Sequence, residues 1–131
     1  MESQLYSTLG KLFYGVACTD KRLHQEEVER FEEALKRYWS FTVTDSDSIE
    51  NEIMLISRGF TEAAENRLSG ESCLESFKKY FTSNNILFTR EIREKIFKIA
   101  NSIANSVAGR NKAELIYLAK LKLLMDSAPS L

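Results

Sequence analysis

The sequence predicts an all-α protein, a compact bundle of about six to seven helices. Apolar residues recur at intervals of three and four through most of the chain, which is the spacing that lays one stripe along a helix. No stretch alternates polar and apolar residues for long enough to form a strand, and the 131 residues include one proline and five glycines, too few for an all-β protein. The length fits one domain, so we expect residues 1–131 to fold as a single domain.

The first two predicted helices lie on either side of a short break. Residues 4–18 form the first helix, with the apolar stripe Leu5, Leu9, Leu12, Phe13 and Val16. Gly10 and Gly15 lie inside it, each costing roughly 1 kcal/mol against alanine, so we expect another helix to approach closely there. After the break, where Leu23 is expected to point inward, residues 24–39 form the second helix. Its apolar face is Val28, Phe31, Leu35 and Tyr38.

The middle of the chain begins with a polar connection over residues 40–48. Asp47 and Glu50 match a capping box, which predicts that a third helix starts at Ile49. Gly59 is expected to end or bend that helix, and the sequence leaves open whether residues 61–68 form one more short helix. The apolar face of the third helix is Ile49, Ile53, Ile56 and Phe60.

The remaining chain is predicted to contain three helices, each with its own cap. Ser72, followed three residues later by a glutamate, is expected to start one of them. Thr89 caps the next helix, which is expected to run to about Ser106, and Asn111 with Glu114 forms a capping box for the last. The three apolar stripes are Leu74, Phe77 and Phe81; Ile92, Ile96, Ile99 and Ile103; and Leu115, Leu118, Leu121 and Met125.

The two ends of the chain are similar when one is shifted by 87 residues. Glu27 then falls on Glu114, and the break between the two helices has the same length in both copies. Two hairpins that cannot bury their own stripes are expected to pack against each other. We therefore predict two pseudo-symmetric helical hairpins, about 4–39 and 91–126. The paired apolar positions are Leu5, Leu9, Leu12 and Val16 with Ile92, Ile96, Ile99 and Ile103.

A short motif surrounds the first break. It reads Ala17-Cys18-Thr19-Asp20-Lys21, followed by Glu26-Glu27-Val28. This pattern resembles the TerB-like (tellurite-resistance protein B) family, whose hallmark is a helix ending in Ala-x-x-Asp-Gly, a short loop, and a glutamate before an apolar residue in the next helix. Lys21 stands at the glycine position of the motif. In the second copy Val107 stands at the aspartate position, Ala108 at the glycine position, and Glu114 is kept.

The resemblance carries expectations about fold and function. The TerB-like family includes stress-operon proteins and the N-terminal domains of some membrane-anchored J-domain co-chaperones. The resemblance implies a bundle of two pseudo-symmetric halves, with aspartate and glutamate residues that bind metal ions. For this chain it implies a non-catalytic interaction or sensing module in the response to tellurite, metal or envelope stress. A protein partner is expected, although the sequence does not identify it.

Asp20, Glu26 and Glu27 are the candidate ligands of a divalent cation, with Glu114 as the remnant of the second copy. Hard cations such as Ca²⁺ and Mg²⁺ bind several oxygens, which a loop entering a helix can bring together. In the alternative interpretation Asp20 caps the loop, and the two glutamates balance the partial positive charge of a helix N-terminus. The sequence is compatible with both interpretations, and a divalent cation is the one cofactor that it suggests.

Catalysis is not expected, because His24 is the only histidine and no nucleophile–base motif accompanies it. The basic residues near the C-terminus suggest a second alternative, a helical nucleic-acid-binding domain. These residues are Arg90, Arg93, Lys98, Lys112, Lys120 and Lys122. Glu91 and Glu94 interrupt them, so solvated helix faces are favoured and nucleic acid is not the expected partner.

Charge and apolar residues give the remaining indications about a partner. The net charge of −1 divides into −1, −6 and +6 for residues 1–39, 40–76 and 77–131, which fits either complementary packed faces or a dipolar surface. Trp39 and Phe41, at the edge of the polar connection, form a candidate partner-facing patch. Two cysteines, no long apolar run and no signal-like N-terminus predict a cytoplasmic protein with free thiols and no transmembrane segment.

Overall fold

The computed structural model of the protein describes residues 2–18, 23–39, 46–105 and 112–127. These ranges form six α-helices and one short 3₁₀ helix, and they contain no β-strand. The α-helices are α1 (Glu2–Ala17), α2 (Gln25–Trp39), α3 (Ser46–Glu65), α4 (Gly70–Ser83), α5 (Arg90–Ala104) and α6 (Lys112–Ser127), with the 3₁₀ helix Asn85–Leu87 between α4 and α5. The predicted all-α class is confirmed. None of the described helices combines the length and the apolarity needed to cross a membrane.

Helix α1 lies at the centre of the bundle and contacts each of the other five α-helices. It packs most extensively on α3 and α4, while α2 packs mainly on α5. The predicted stripe of α1 is buried along its whole length. The buried apolar side chains of all six helices form one core, and α1 and α5 contact each other within it. The first and fifth helices therefore share a core, as the sequence predicted.

Helices α1 and α3 cross where two glycines meet. A β-carbon at Gly10 would lie 2.6 Å from the backbone nitrogen of Phe60 and 2.9 Å from the carbonyl carbon of Gly59. A β-carbon at Gly59 would in turn lie 3.0 Å from the Cα atom of Ser7. The close approach predicted at Gly10 is confirmed. Of the two alternatives predicted at Gly59, the helix end is wrong, because α1 packs against this glycine while α3 continues to Glu65, and no separate short helix follows in this described stretch. The predicted start of this helix at Ile49 is also wrong, because α3 begins at Ser46.

Helix α4 begins one turn earlier than predicted. Its N-cap is Ser69, whose hydroxyl accepts a hydrogen bond of 3.0 Å from the backbone N–H of Ser72. Gly70 is the first helical residue, and a β-carbon there would lie 3.1 Å from the carbonyl oxygen of Gly15. The prediction that Ser72 caps this helix is wrong, because the serine three residues before it takes that role and Ser72 becomes part of the first turn.

Helices α5 and α6 complete the core. Thr89 caps α5 as predicted, since its hydroxyl accepts a hydrogen bond of 3.3 Å from the backbone N–H of Ile92. The predicted cap of α6, Asn111, lies outside the described residues. Leu115 is 46% exposed, so its assignment to the buried stripe of α6 is wrong. Helix α6 has apolar residues on several of its faces, so their spacing alone does not identify the face that packs on the core. The buried positions are Glu114, Tyr117, Leu118, Leu121 and Met125.

Candidate functional site

A groove of about 760 Å³ opens where the end of α1, the α3–α4 turn, the start of α4 and the start of α6 meet. We call it the α1–α4–α6 groove. Its volume is in the range of ligand-binding clefts in proteins. It is lined by Tyr14, Cys18, Leu23, Ala64, Arg67, Leu68, Ser69, Gly70, Glu71, Leu74, Ala113, Ile116, Tyr117 and Lys120.

The α3–α4 turn places two of these residues at the groove. Arg67 has a left-handed backbone conformation, with a φ of 50°. Its N–H donates to the carbonyl of Ala64 at 3.1 Å, and the N–H of Leu68 donates to the carbonyl of Ala63 at 3.1 Å. This pair of bonds is a Schellman motif, which ends α3 and reverses the chain. The motif directs the chain into the N-cap of α4 and brings Arg67 and Leu68 to the groove.

The junction of α1, α4 and α6 forms the base of the groove. The hydroxyl of Tyr117 contacts the backbone of Gly15, and its ring would lie 3.5 Å from a β-carbon at Gly70. Tyr117 is 6% exposed, and within the part of the chain that the structure describes its hydroxyl has no hydrogen-bond partner. Burial, with a smaller effect of the nearby Cys73, raises the pKa of this hydroxyl above its ordinary value. The tyrosine is therefore neutral at physiological pH and holds α6 against α1.

The surface of the groove is apolar between charged side chains. Leu23 is 38% exposed and Ile116 is 46% exposed, and both line the same groove, so they contribute to one apolar patch and are not scattered singly. The expectation that Leu23 points inward is wrong, because its side chain lines the open groove. Arg67, Glu71 and Lys120 are exposed and contribute the charges. A surface of this kind can bind an apolar group and orient it through polar contacts at the edge.

Two thiols lie at or beneath the groove. Both cysteines are free; Cys73 is buried and Cys18 is partly buried. Burial raises the pKa of the Cys73 thiol to about 11, even though Lys11 acts in the opposite direction. The thiol of Cys73 is therefore protonated at neutral pH, and the thiolate that a nucleophile requires is scarce. Burial and a hydrogen bond with Cys18 raise the pKa of the Tyr14 hydroxyl as well.

The candidate metal ligands from the sequence are partly described. Asp20 lies outside the described residues, Glu26 is exposed and Glu27 is 2% exposed. An Oε1 atom of Glu27 accepts a hydrogen bond of 3.2 Å from the backbone N–H of His24, directly before α2. This bond is the reciprocal half of a capping box. Among the described residues no group of three histidines, cysteines or carboxylates is placed to share a metal ion.

The remnant of the second copy, Glu114, is also 2% exposed. It lies in the first turn of α6, as Glu27 lies in the first turn of α2. The structure therefore places the two glutamates that the 87-residue shift aligns in equivalent positions of their helices, each with a buried carboxylate.

The predicted patch of Trp39 and Phe41 is not formed as expected. Trp39 is 2% exposed, and its indole N–H donates a hydrogen bond of 2.8 Å to Oε1 of Glu52. Its assignment to a partner-facing surface is wrong, because the ring is buried, with Tyr6 of α1 at a centroid distance of 6.2 Å, and Glu52 of α3 satisfies its polar atom. The ammonium of Lys95 lies 5.9 Å from the centre of the same ring. Phe41 lies outside the described residues.

The basic residues near the C-terminus divide between two surfaces. A second groove of about 520 Å³ between α5 and α6 is lined by Arg90, Arg93, Glu94, Phe97, Lys98, Lys122, Met125 and Asp126. Arg93 is directed at the protein itself, because its guanidinium donates to the carbonyls of Phe88 and Met125, each at 2.8 Å. Lys120 lines the other groove, and the side chain of Lys112 lies outside the described part of the structure.

Sequence analysis did not find the α1–α4–α6 groove. Its lining comes from three stretches that are far apart in the sequence, residues 14–23, 64–74 and 113–120, and no spacing links them. The available signal was the surplus of apolar residues in α6, more than one buried stripe can use. Searches of protein-family models, curated protein sequences and solved structures find no match to this chain.

Proposed function

We propose that this protein is a non-catalytic interaction module that binds a protein partner in the α1–α4–α6 groove. The observation that carries the proposal is the concave apolar surface of the groove. Leu23 and Ile116 are exposed on it, outside the core of buried apolar side chains. Water is displaced from such a surface with a gain in free energy when a partner covers it. The two free thiols fit a reducing compartment, so we place the module in the cytoplasm.

The finer part of the proposal is a TerB-like domain with two pseudo-symmetric halves. Two observations support it: Glu27 and Glu114 are both buried in the first turn of their helices, and α1 contacts α5 within one core. The proposed role in tellurite, metal or envelope stress rests on the resemblance of the motif around Asp20, and therefore on analogy.

A divalent-cation module using Asp20, Glu26 and Glu27 is the first alternative. The carboxylate of Glu27 already accepts the N–H of His24, and Glu26 faces solvent. These two observations favour a capping role over a shared ion. The cation alternative therefore depends on Asp20 and is supported less well than the groove.

A nucleic-acid-binding domain is the second alternative. Binding of a phosphate backbone needs several cations on one face. Here Arg93 donates to two backbone carbonyls, and Lys122 lies 3.4 Å from the carboxylate of Asp126. Glu94 adds a negative charge to the same groove. These contacts favour a structural role for the basic residues.

Site-specific photo-crosslinking in the cells that make the protein tests the proposed function. A photoreactive residue placed at Ile116 in the groove is expected to give an adduct of defined mass. The matched control is the same residue at Ile86, which is 71% exposed and lies outside the groove. Adducts at both positions in equal yield, or at neither, would contradict a binding site in the groove.

A further inference from the structure

We infer that the occupant of the α1–α4–α6 groove is an acidic amphipathic α-helix of a partner protein. The inference rests on the proposed function, because it specifies the chemistry of the partner at that same groove. It follows from the apolar residues on the outer face of α6, from the charges at the edge of the groove, and from the poor fit of a second copy of this chain.

The outer face of α6 extends the groove as a helical stripe. Ile116, Lys120 and Leu123 follow one another at intervals of four and three residues, and Leu123 is 72% exposed. The opposite face of α6 is already buried in the core through Leu121 and its neighbours. A helix that is apolar on two faces is typical of one covered on both. Ile116 and Leu123 lie about 10 Å apart along the helix, the distance between the anchor positions i and i+7 of a docked helix.

The two cations at the edge of the groove favour an acidic partner. Arg67 and Lys120 are exposed, and neither forms an ion pair with a described residue. They outnumber the one carboxylate of the groove, Glu71. Lys122, on the neighbouring side of α6, is by contrast paired with Asp126 at 3.4 Å. Acidic residues beside the apolar anchors of the partner would complement Arg67 and Lys120.

A second copy of the chain fits this face poorly. An antiparallel pairing of α6 with itself would set Ile116 against Leu123 of the other copy. The midpoint of this stripe lies next to Lys120, so that pairing brings two lysines together at the symmetry axis. Like charges in contact disfavour association, whereas an acidic partner turns the same lysine into a favourable contact.

The test is a selection of helical peptides of about 18 residues, displayed with randomised surface positions, against the full chain. Enriched peptides are expected to carry apolar residues at i, i+3 or i+4, and i+7, flanked by glutamate or aspartate. Lys120→Glu is expected to weaken their binding at least tenfold in fluorescence anisotropy. A peptide with its flanking acids changed to lysine should recover binding to the Lys120→Glu protein. Ile86→Asp is the matched control and should bind as wild type.

The outcomes separate this inference from the proposed function. Selected peptides that lose binding to the Ile116→Asp protein but show no acidic bias, or ignore Lys120→Glu, overturn the acidic helix and leave the groove as the binding site. Peptides that bind the Ile116→Asp protein unchanged overturn both. A selection without enrichment overturns the helical occupant, and the photo-crosslink at Ile116 then decides the proposed function. A dimer that sedimentation detects for the wild-type chain but not for the Leu123→Asp variant would show that a second copy occupies the outer face of α6.

Discussion

The hydroxyl of Tyr117 on α6 packs against the backbone of Gly15 on α1, in the space that a β-carbon at residue 15 would fill. The contact sets the distance between the two helices at the base of the α1–α4–α6 groove. Since Cys73 of α4 lies 3.1 Å from the same position, three helices meet there. The shape of the groove therefore depends on Gly15, which lies in a helix that is otherwise part of the apolar core.

Tyr117→Phe is expected to raise the free energy of unfolding by about 1 kcal/mol. A buried hydroxyl without a hydrogen-bond partner opposes folding, and the substitution removes only that oxygen. Urea unfolding of both proteins measures the difference, with Tyr38→Phe, at a half-buried position, as the control. A loss of more than about 1 kcal/mol in Tyr117→Phe would mean that the hydroxyl has a partner.

Gly10→Ala is expected to lower the free energy of unfolding by about 1–3 kcal/mol. The added methyl group would meet the backbone of Ile56 and Phe60, and backbone atoms cannot turn aside as a side chain can. An exposed helical glycine would give the opposite sign, a gain of roughly 1 kcal/mol. Chemical denaturation distinguishes the two signs, and Ser3→Ala at an exposed position of the same helix should change stability little. A stabilised Gly10→Ala protein would contradict the described crossing of α1 and α3.

Arg93→Lys is expected to lower the free energy of unfolding by about 2 kcal/mol, because one ammonium cannot reach both carbonyls that the guanidinium binds. Those carbonyls belong to Phe88, before α5, and Met125, near the end of α6. Thermal unfolding measures the effect. Arg90→Lys, at an exposed position of the same helix, is the control. Equal losses in the two variants would contradict a specific link between α5 and α6.

Stability is expected to fall between about pH 9 and pH 11. Burial raises the pKa of the Cys73 thiol from 9.0 to about 11, so over that range the native protein keeps a proton that the unfolded chain has lost. The native state then binds more protons, and the free energy of unfolding decreases as pH rises. Urea unfolding at several pH values gives the slope, which should be shallower in Cys73→Ala. The raised pKa of Tyr117 acts in the same direction at higher pH. An unchanged slope in Cys73→Ala would assign the effect to other groups.

The core of the fold is predictable because its information is local. The stripe of α1 and the residues Ile96, Ile99 and Ile103 repeat with the helical period, and each is buried. The cap at Thr89 is likewise local, because its hydroxyl lies close to the N–H groups in the first turn of α5. Such features depend on residues three or four apart, which the sequence displays directly.

The incorrect predictions have a different cause, which is contact between segments that are distant in the sequence. A glycine in a helical pattern is typical of a helix end, but α1 packs closely against Gly59 and only a glycine fits there. Trp39 borders a polar connection, but α3 folds back and Glu52 accepts its indole N–H. Leu115 and Tyr117 lie two residues apart in α6. Tyr117 is the one that faces inward, where it packs against Gly15 of α1. The groove belongs to this group, since no local pattern shows where its three segments of the chain meet.

Backbone hydrogen exchange of the full chain, alone and saturated with its tightest selected peptide, locates the binding site on the protein. We expect slower exchange in residues 68–74 and 113–123, which line the α1–α4–α6 groove or extend it, and unchanged exchange in residues 85–88. Slower exchange confined to residues 90–98 and 122–126 would place the binding site in the groove between α5 and α6 and contradict the account.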